Sequence, residues 1–482
     1  MSGAAATAGT ATSCPPVKRL ELLCDEGSLQ LVRSETRSRR MGIRARAGDG
    51  VIAGSGRVGG RPVLCFAQDA TFAGGSLGEA HAETIVRLHE LAARAKAPVV
   101  GFIDSAGARM QEGLAALGGY GRLFRQHVRL SGVVPQISVI CGPSAGGGCY
   151  APALTDFVIL TERARMFLTG PSVVEQVTGE RVSARELGGP RVHAANGVAH
   201  AVVADEEAAA AFVHRLLGYL PSSAAERPPR YVPVDPPPPS FTMPALDREV
   251  YDVRELARGL VDGGRLLEIS PRFARNVVCA FAHVEGRAVG VVANQPHFLG
   301  GVLDAAASQK AARFVRTCNA FGVPILTLVD TPGFLPGVRQ ERDGVIRHGS
   351  KLVYAFAESR VPRVTVVLRK AYGGAAIAMN SKQLGADYVF AWPGAEIGVI
   401  GAQQAVEIIH RAEITAAPEP RAARSALAAR YVQEHLTLDV AASEGFVDEV
   451  IAPEQTRGRV ADALSVLDGV EGENRELGNI HL

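Results

Sequence analysis

Apolar residues at helical spacing, followed by an unbroken apolar run, occur twice along the chain. The helical pattern covers residues 81–97 in the first copy and residues 304–321 in the second. The apolar runs that follow, at residues 99–104 and 324–330, have the composition of strands buried on both faces. Strands of this kind belong to sheets that helices cover on both sides. The pattern therefore predicts an α/β fold built from two similar units.

Each unit continues with a second helix, a second strand and a cluster of glycines. Helices are predicted at residues 119–131 and 344–359, and the glycine clusters begin at Gly146 and Gly373. Each cluster stands where a strand would turn into a helix. Because the order of elements is the same in both units, the chain contains an internal duplication.

A proline-rich segment separates the two units. Residues 221–246 include the run Pro236 to Pro239, which stiffens the chain and cannot donate to a β-ladder. A chain of 482 residues can hold two domains that each bury a core. We expect a disordered arm at residues 1–16, an N-terminal domain at 17–235 and a C-terminal domain at 236–482.

Composition excludes several classes of protein. The chain has 51 Lys and Arg, 49 Asp and Glu and a net charge of +2, so it lacks the basic excess of a nucleic-acid-binding protein. No apolar stretch approaches the length of a membrane span, and the N-terminus has no signal-peptide pattern. Seven cysteines without a CxxC pair predict reduced thiols in a cytoplasmic protein, and the twelve histidines show no metal-ligand spacing.

The glycine clusters are the candidate catalytic elements. Glycines at a strand-to-helix turn leave backbone N–H groups unobstructed and directed at a ligand oxygen on the helix axis. One well-placed donor of this kind lowers a barrier by about 3 kcal/mol when it stabilises an oxyanion. A single cluster would be explained equally well by close helix packing. Two clusters at matching positions of a duplicated unit favour the catalytic interpretation.

A loop with the pattern Asp-Ser/Thr-X-Gly follows the first strand of each unit. Its residues are Ser105 to Gly107 in the first unit and Thr331 to Phe334 in the second. These residues either wall the ligand pocket or form tight turns after buried strands, and the pattern alone does not decide between the two.

Charged residues beside these loops have structural explanations. We expect the carboxylates of Asp104 and Asp330 to cap the backbone N–H groups that follow them, rather than to act in catalysis. Arg109 could meet a ligand phosphate, but an ion pair with Glu112 at i+3 is the expected contact.

Several long motifs then carry a resemblance to a known family. They are, in order, GDGVIAGSGRVGGRPVLCFAQDATFAGGSLGEAH, DSAGARMQEG, GPSAGGGCYAPALTDF, DTPGFLPG, IRHGSKL, RKAYGGAAIAMNSK, AEIGVIGAQQAV and the terminal GNIHL. From about Leu20 to Leu482 the chain resembles the carboxyltransferase (β) subunit of biotin-dependent acyl-CoA carboxylases, most closely the propionyl/acyl-CoA carboxylase type. The resemblance implies two tandem crotonase-like domains, a fold that stabilises thioester enolates at backbone oxyanion holes.

The resemblance also implies a reaction and its partners. Carboxyltransferases of this type move CO2 from carboxybiotin, carried by a partner subunit, to the α-carbon of an acyl-CoA, without a metal in this chain. Since no biotinylation motif or ATP-binding glycine stretch is recognisable here, we expect a separate biotin carboxylase/biotin carboxyl carrier (α) subunit. Family members form β hexamers, with each site between the N-domain of one protomer and the C-domain of a neighbour.

Site residues follow from the same resemblance. Gly146 and Gly147 would hold the thioester enolate, and Gly374 and Ala375 would hold the ureido oxygen of biotin. Substrate contacts are implied for a larger set on the same loops and turns: Ser105, Ala106, Gly107, Ala145, Thr331, Pro332, Gly333, Phe334, Tyr372, Gly373, Ala376 and Ile377.

Three positions depart from the family's pattern. Ala376 stands where an aromatic residue is usual, and Ile377 stands where propionyl-specific relatives carry Asp. Smaller or apolar groups at these positions should leave a larger and drier acyl pocket, so we hypothesise that acyl chains longer than propionyl are accepted. Thr84 occupies a position where lysine is common.

Two other functions are considered. Decarboxylase subunits that act on glutaconyl-CoA or methylmalonyl-CoA use the same fold in reverse, coupled to a membrane pump, and stimulation by sodium would identify them. A non-catalytic assembly scaffold could also keep the fold, but it would be free to fill the glycine clusters with side chains. A stand-alone enoyl-CoA hydratase is disfavoured because no paired carboxylates are visible.

Overall fold

The computed structural model describes residues 14–238, 241–244, 246 and 249–469. Of the arm expected at residues 1–16, residues 1–13 lie outside this range, whereas Pro16 begins the first helix. The terminal motif GNIHL also lies outside the described residues.

The first half of the chain forms one mixed sheet with helices on both sides. Its helices are α1 Pro16–Leu23, α2 Glu79–Ala95, α3 Leu114–Leu130, α4 Gly147–Ala153, α5 Pro171–Thr178, α6 Ala184–Gly188, α7 Pro190–Ala195 and α8 Glu206–Leu217. Its strands are β1 Gln30–Val32, β2 Val51–Val58, β3 Arg61–Gln68, β4 Val99–Ser105, β5 Gln136–Ala145, β6 Phe157–Thr161, β7 Arg165–Phe167 and β8 Ala201–Val203.

The second half forms another sheet of the same kind. Its helices are α9 Val253–Leu260, α10 Ala305–Ala320, α11 Val338–Arg342, α12 Val345–Glu358, α13 Gly373–Ala378, α14 Ala402–Ile409, α15 Arg411–Ala416, α16 Pro420–His435, α17 Leu438–Ser443 and α18 Thr456–Val466. Its strands are β9 Leu267–Glu268, β10 Val277–Val284, β11 Arg287–Asn294, β12 Ile325–Thr331, β13 Arg363–Tyr372, β14 Tyr388–Ala391, β15 Glu396–Gly398 and β16 Glu449–Val450.

The two sheets have the same topology, which confirms the duplication and the α/β class. The strand order is β1-β2-β3-β4-β5-β6-β8 in the first sheet, with β7 paired to β5. The second sheet runs β9-β10-β11-β12-β13-β14-β16, with β15 paired to β13. In each sheet the first three strands are antiparallel and the others are parallel.

Periodicity predicted four helices, and all four are present as α2, α3, α10 and α12. Their ends differ from the predicted ones by a few residues, most of all in α3, which begins at Leu114 rather than at residue 119. Gly118 and Gly119 lie in its second turn. Because glycine has a low helix propensity and no side chain, these two residues obscure the start of the apolar pattern.

A break in strand register brings the candidate loops to the sheet edge. Between β4 and β5 the pairing shifts between Ile103 and Ser105, and between β12 and β13 it shifts between Val329 and Thr331. A register shift bends a strand locally and redirects the residues after it. The loops that follow Ser105 and Thr331 therefore leave the two sheets in the same way.

The two halves share a hydrophobic core. The ring centroids of Phe157 and Phe281 are 6.1 Å apart, and those of Tyr219 and Phe281 are 5.8 Å apart. Phe157 and Tyr219 come from the first half, whereas Phe281 lies on β10 of the second. The halves are thus packed against each other, while the domain boundary at residue 236 stays a prediction.

No helix within the described ranges is long and apolar enough to cross a bilayer.

Candidate functional site

The glycines that begin the two turns have nearly the same φ angle. Gly146 connects β5 to α4 with φ 57°, and Gly373 begins α13 after β13 with φ 59°. A side chain is strongly disfavoured at these φ values, so glycine is the residue that allows each sharp turn. A Cβ on Gly373 would also lie 3.0 Å from the carbonyl oxygen of Val399.

The N–H of Gly146 is hydrogen-bonded within the first half, and its role as an oxyanion donor stays a prediction. It donates to the carbonyl oxygen of Phe167 on β7, with an N to O distance of 3.2 Å. Gly147 and Gly148 follow in the first turn of α4, where N–H groups have no intrahelical partner. Neither has a recorded acceptor within the described residues. Gly148 is buried and Gly147 is partly exposed, so Gly147 is the accessible donor of this turn.

The second turn offers its donor at the equivalent position. Gly374 lies in the first turn of α13, and no acceptor for its N–H group is recorded among the described residues. Gly374 is exposed, and a Cβ there would meet nothing nearer than the Phe334 ring at 3.8 Å. Ala375 has 0% exposure, so its N–H is covered in this conformation. The role of Ala375 as a direct donor stays a prediction.

The loop that follows the first strand of each pair contains a second free amide in each half. Ala108 forms an isolated parallel bridge with Leu77, and Phe334 forms the equivalent bridge with Leu303. In the first half the bridge consists of the bonds from Leu77 N–H to the carbonyl oxygen of Gly107 and from Arg109 N–H to that of Leu77, so the N–H of Ala108 takes no part in it, and the N–H of Phe334 is left out of its bridge in the same way. No acceptor is recorded for these two N–H groups in the part of the chain that the structure describes.

The two donors of each half follow a bridged pair of residues at equal distance in sequence. Ser105 pairs with Ser144, and Ala108 and Gly147 lie equally far beyond them. The pair formed by Thr331 and Ala371 relates Phe334 to Gly374 in the same way. The amide of Ala108 was not predicted from the sequence, because an alanine in a loop carries no signal for a backbone donor.

An aromatic ring packs beside each accessible donor. A Cβ on Gly147 would lie 2.9 Å from the ring of Tyr120 on α3, so glycine is required there by packing. The buried hydroxyl of Tyr120 approaches Ser105 but has no partner in hydrogen-bonding geometry among the described residues. Burial raises the pKa of Tyr120 to about 12, so the phenol stays protonated at neutral pH. In the second half the ring of Phe334 lies close to Gly349 and Gly374.

The loops are capped by hydroxyl groups and not by the aspartates. Gly107 donates its N–H to Ser105 Oγ at 3.2 Å, and Gly333 donates to Thr331 Oγ1 at 3.4 Å. The tight-turn explanation of these loops is therefore supported for Ser105 and Thr331. Ala106 and Pro332 are exposed at the loop tips.

Asp104 forms a buried ion pair, so the expected cap is wrong at this position. Its Oδ2 accepts from Nη2 of Arg19 at 2.9 Å, and Glu206 lies 3.5 Å from the same nitrogen. Both Arg19 and Asp104 are almost fully buried. Helix α1 thus fixes the end of β4 from a position far away in sequence.

Asp330 is held in a similar way by other residues, so the expected cap is wrong here too. Arg369 on β13 donates to its carboxylate from Nε at 3.1 Å, and the hydroxyl of Tyr251 donates at 2.9 Å. Burial together with the charge of Asp330 raises the pKa of Tyr251. The equivalent carboxylate is therefore neutralised in each half by an arginine from a different part of the fold.

Arg109 is structural. It is fully buried, and its Nη1 lies 2.6 Å from Asp49 and 2.9 Å from Glu112. The predicted pair with Glu112 is confirmed, and the contact with Asp49 was not foreseen. Burial with two carboxylates leaves no room for a ligand phosphate on this side chain.

The remaining predicted residues surround the turns. Ala145 ends β5, and Tyr372 ends β13 with its hydroxyl donating to Glu396. Ala376 packs against the main hydrophobic core, whereas Ile377 is 50% exposed on the outer face of α13. Of the two departures within α13, Ile377 is thus the more exposed one.

Exposed apolar side chains lie around both turns. In the first half they are Met110, Leu114, Leu117, Tyr150, Leu168 and Val177. In the second half they are Val338, Ile346, Tyr354, Ile377, Val399 and Ile408. Apolar surface of this extent is typical of an interface with another protein.

Comparison with known proteins gives consistent matches over nearly the whole chain. Residues 11–474 match the carboxyl transferase domain family. The chain is 47% identical to the putative propionyl-CoA carboxylase beta chain of Bacillus subtilis (strain 168), over 93% of this chain and 88% of that protein. It is 43% identical to the methylmalonyl-CoA decarboxylase subunit alpha of Propionigenium modestum, over 94% of this chain and 90% of the relative.

A solved structure has the same fold. The transcarboxylase 12S crystal structure, described as a hexamer with methylmalonyl-coenzyme A bound, superposes with a TM-score of 0.93 at 45% identity. The match covers 96% of this chain and 91% of that one. The two mixed sheets described above are therefore tandem crotonase-like carboxyltransferase units, as the motifs predicted.

Proposed function

Because the chain belongs to the carboxyl transferase domain family, we propose that its two glycine turns bind the two reactants of a carboxyl transfer. The chain is a carboxyltransferase subunit of the biotin-dependent acyl-CoA carboxylase type. One reactant is an acyl-CoA and the other is a biotin group carried by a partner protein. The observation that supports this proposal best is the presence of an equivalent, accessible N–H at Gly147 and Gly374.

The first half holds the thioester of the acyl-CoA. The N–H groups of Ala108 and Gly147 donate to its carbonyl oxygen, which becomes negatively charged when the α-proton leaves. A fixed donor at a developing oxyanion contributes about 3 kcal/mol of barrier lowering. The neighbouring ring of Tyr120 excludes water from one side, which strengthens the electrostatic effect of both donors.

The second half holds the biotin group. When bound, biotin supplies the carboxyl group and a base for the α-proton of the acyl-CoA. The N–H groups of Gly374 and Phe334 donate to the ureido oxygen, and the open space at Gly374 admits a ligand to the backbone. The ring of Phe334 gives this pocket an apolar wall, which orients the ligand without a charged side chain.

We further propose that the chain assembles into a hexamer and works with a biotin carboxylase/biotin carboxyl carrier (α) subunit. The exposed apolar residues around both turns support contact with a second copy. The related transcarboxylase is described as a hexamer. A cytoplasmic location is consistent with free thiols at all seven cysteines, since disulfides are rare in reducing compartments.

The acyl group lies beside Ile377 in this proposal. A half-exposed isoleucine adds apolar surface and no charge at the position where propionyl-specific relatives carry Asp. We therefore propose that acyl chains longer than propionyl are carboxylated, with the butyryl and octanoyl thioesters as test compounds.

The test is a carboxylation assay with a biotinylated α-type partner, ATP and bicarbonate. Acetyl-, propionyl-, butyryl- and octanoyl-CoA are compared at equal concentrations, and fixed carbon is measured with labelled bicarbonate. ATP-dependent fixation that disappears without the partner is the expected result. Absence of fixation with every acyl-CoA, in the presence of a partner shown to carboxylate its own biotin, would contradict the proposal. Turnover of acetyl-CoA equal to or better than every longer chain would contradict only the chain-length part.

Decarboxylation is the second candidate function. The identity of 43% to a methylmalonyl-CoA decarboxylase subunit makes the reverse direction a specific alternative. Release of CO2 from methylmalonyl-CoA that is stimulated by sodium, measured with membranes that contain a pump, would favour it. Fixation in the soluble assay without a sodium effect would favour the carboxylase.

A further inference from the structure

A polar cavity of about 180 Å³ lies where the two halves of the chain meet. The first half contributes residues at the start of β6 and in the loop before β8. The second half contributes the connection from β9 to β10 and the inner faces of α10 and α12. None of the glycine-turn residues lines this cavity, so it is separate from the site described above.

The wall of the cavity carries an excess of positive charge. Its charged residues are four cations and one carboxylate, namely Lys310, Arg313, Arg316, Lys351 and Asp156. Arg316 has a partner in Glu358, 2.8 Å away, and Arg313 lies near Asp156. The two lysines then remain without a carboxylate partner within 4 Å among the described residues.

Lys310 is a fixed buried charge. Its Nζ donates to the carbonyl oxygens of Phe273 at 3.0 Å, Ala274 at 3.4 Å and Val277 at 2.7 Å. These bonds use all three ammonium protons but bring no negative charge. Glu268 acts on Lys310 electrostatically but is itself held by Arg254 at 2.8 Å. A buried ammonium without a counter-ion is costly, which makes a mobile anion in the cavity favourable.

The ammonium group of Lys351 is available to donate hydrogen bonds to a ligand. It lies on α12 at the wall of the cavity and is partly buried, and no hydrogen bond or ion pair of its side chain is recorded within the described ranges. Burial and the charge of Arg347 lower the pKa of Lys351. Gln309 on α10 also lines the cavity, and no partner of its side-chain amide is recorded there either. The two side chains together offer charged and neutral N–H donors from different helices.

The connection from β9 to β10 is strained at the same cavity. Ser270 has φ 52° and Ala274 has φ 44°, both in the left-handed region that residues with a Cβ seldom adopt. The N–H of Ser270 donates to the carbonyl oxygen of His200 at 2.8 Å, which ties this connection to the first half. Strain held in place around a polar cavity is a frequent property of ligand sites.

We propose that this cavity binds a small oxyanion, represented by inorganic phosphate, and that the bound anion joins the two halves. Lys351 and Gln309 donate hydrogen bonds to the oxygens of the anion. Lys310, whose protons are already used by carbonyl oxygens, contributes its positive charge without a direct hydrogen bond. A doubly charged anion matches the two lysines that have no carboxylate partner. Binding stabilises the folded chain because the site does not exist when the halves come apart.

The test measures the melting temperature and the binding heat of the full chain with sodium phosphate and with sodium chloride at equal ionic strength. Phosphate is expected to raise the melting temperature by several degrees over chloride, in a saturable manner. Lys351→Gln is expected to weaken phosphate binding by about tenfold or more, because it removes one charge-assisted hydrogen bond. Lys18→Gln is the matched control, since Lys18 is exposed on α1 and pairs with Glu21 at 3.5 Å, outside the cavity.

Gln309→Glu provides an independent test that does not depend on the folding of the Lys351 variant. It places a carboxylate where the anion is proposed to bind, so it should raise the melting temperature without phosphate and abolish the phosphate response. The proposal is overturned if phosphate and chloride act alike on the unmodified chain. It is also overturned if Lys351→Gln responds as Lys18→Gln does, or if free CoA and not phosphate gives the response that depends on Lys351.

Discussion

Replacement of Gly374 by alanine tests whether the backbone at this turn contacts a reactant. The structure indicates that the substitution is tolerated, because the added methyl group would meet only the Phe334 ring at 3.8 and 3.9 Å. These distances are ordinary van der Waals contacts. Gly374 has no positive φ and lies in the first turn of α13, so alanine brings no backbone strain there. We expect the free energy of unfolding to change by less than about 1 kcal/mol.

The expected loss is in catalysis. A methyl group on Gly374 occupies the open space through which a ligand oxygen reaches the N–H. Loss of one oxyanion donor costs about 3 to 4 kcal/mol, which corresponds to a decrease in kcat of about 10²-fold to 10³-fold. Because the defect lies in the second half, the KM for acyl-CoA should change little.

The assay compares Gly374→Ala with a matched glycine far from the site. Gly458→Ala is the control, since Gly458 is exposed on α18 and a Cβ there would meet nothing within 4 Å. Both variants are measured for melting temperature and for ATP-dependent carbon fixation with the α-type partner. If Gly374→Ala keeps its kcat within a few-fold of the unmodified chain, the backbone of this turn does not contact a reactant and our reasoning is refuted.

Three further predictions concern stability and specificity. Arg19→Met should lower the free energy of unfolding by about 3 to 5 kcal/mol, because the buried Asp104 loses its cation. Adding Asp104→Leu removes the unpaired charge and should recover part of this loss, as measured by urea denaturation. Ile377→Asp should lower kcat/KM for octanoyl-CoA relative to acetyl-CoA by about tenfold, since a charge opposes the burial of an acyl chain. If the octanoyl-to-acetyl ratio of kcat/KM is the same in the variant and in the unmodified chain, the placement of the acyl group beside Ile377 is contradicted. Acid should destabilise the fold because burial lowers the pKa of His127 from 6.5 to about 4 and that of His89 well below 6.5. The folded chain therefore binds fewer protons than the unfolded chain in this pH range. The contribution of His127 to the free energy of unfolding is complete above about pH 6.5 and should fall by about 3 kcal/mol as the pH drops towards 4. Denaturation curves of His127→Gln should not show this loss.

Local features of the sequence were enough to predict the duplication and the place of both turns. Helical periodicity and buried strands are properties of short segments, and the glycines at 146 and 373 are required by positive φ values in those segments. Each of these signals acts within a few residues. For this reason the element order was predicted correctly in both halves, with errors confined to helix ends.

Contacts between distant segments could not be read from the sequence. The N–H of Gly146 is taken up by Phe167, because β7 adds to the sheet beside β5. Asp104 is held by Arg19 and not by the turn that follows it, because α1 packs across the end of β4. In both cases the group has a partner that only the folded chain brings near. The donor assignments at the two turns stay predictions, which the Gly374→Ala variant tests for the second half.

The two halves have diverged in the aromatic residue beside each donor, and this difference bears on which ligand each half binds. Tyr120 is placed beside Gly147 by a helix, and its hydroxyl has no partner among the described residues. A protonated phenol with a pKa raised to about 12 adds a polar group near a site where negative charge develops. In the second half the ring beside Gly374 is that of Phe334, which comes from the loop after β12 and presents only hydrocarbon. An apolar wall suits the ring face of a neutral ligand such as biotin, whereas the polar wall suits an enolate. The asymmetry therefore supports the thioester in the first half and biotin in the second.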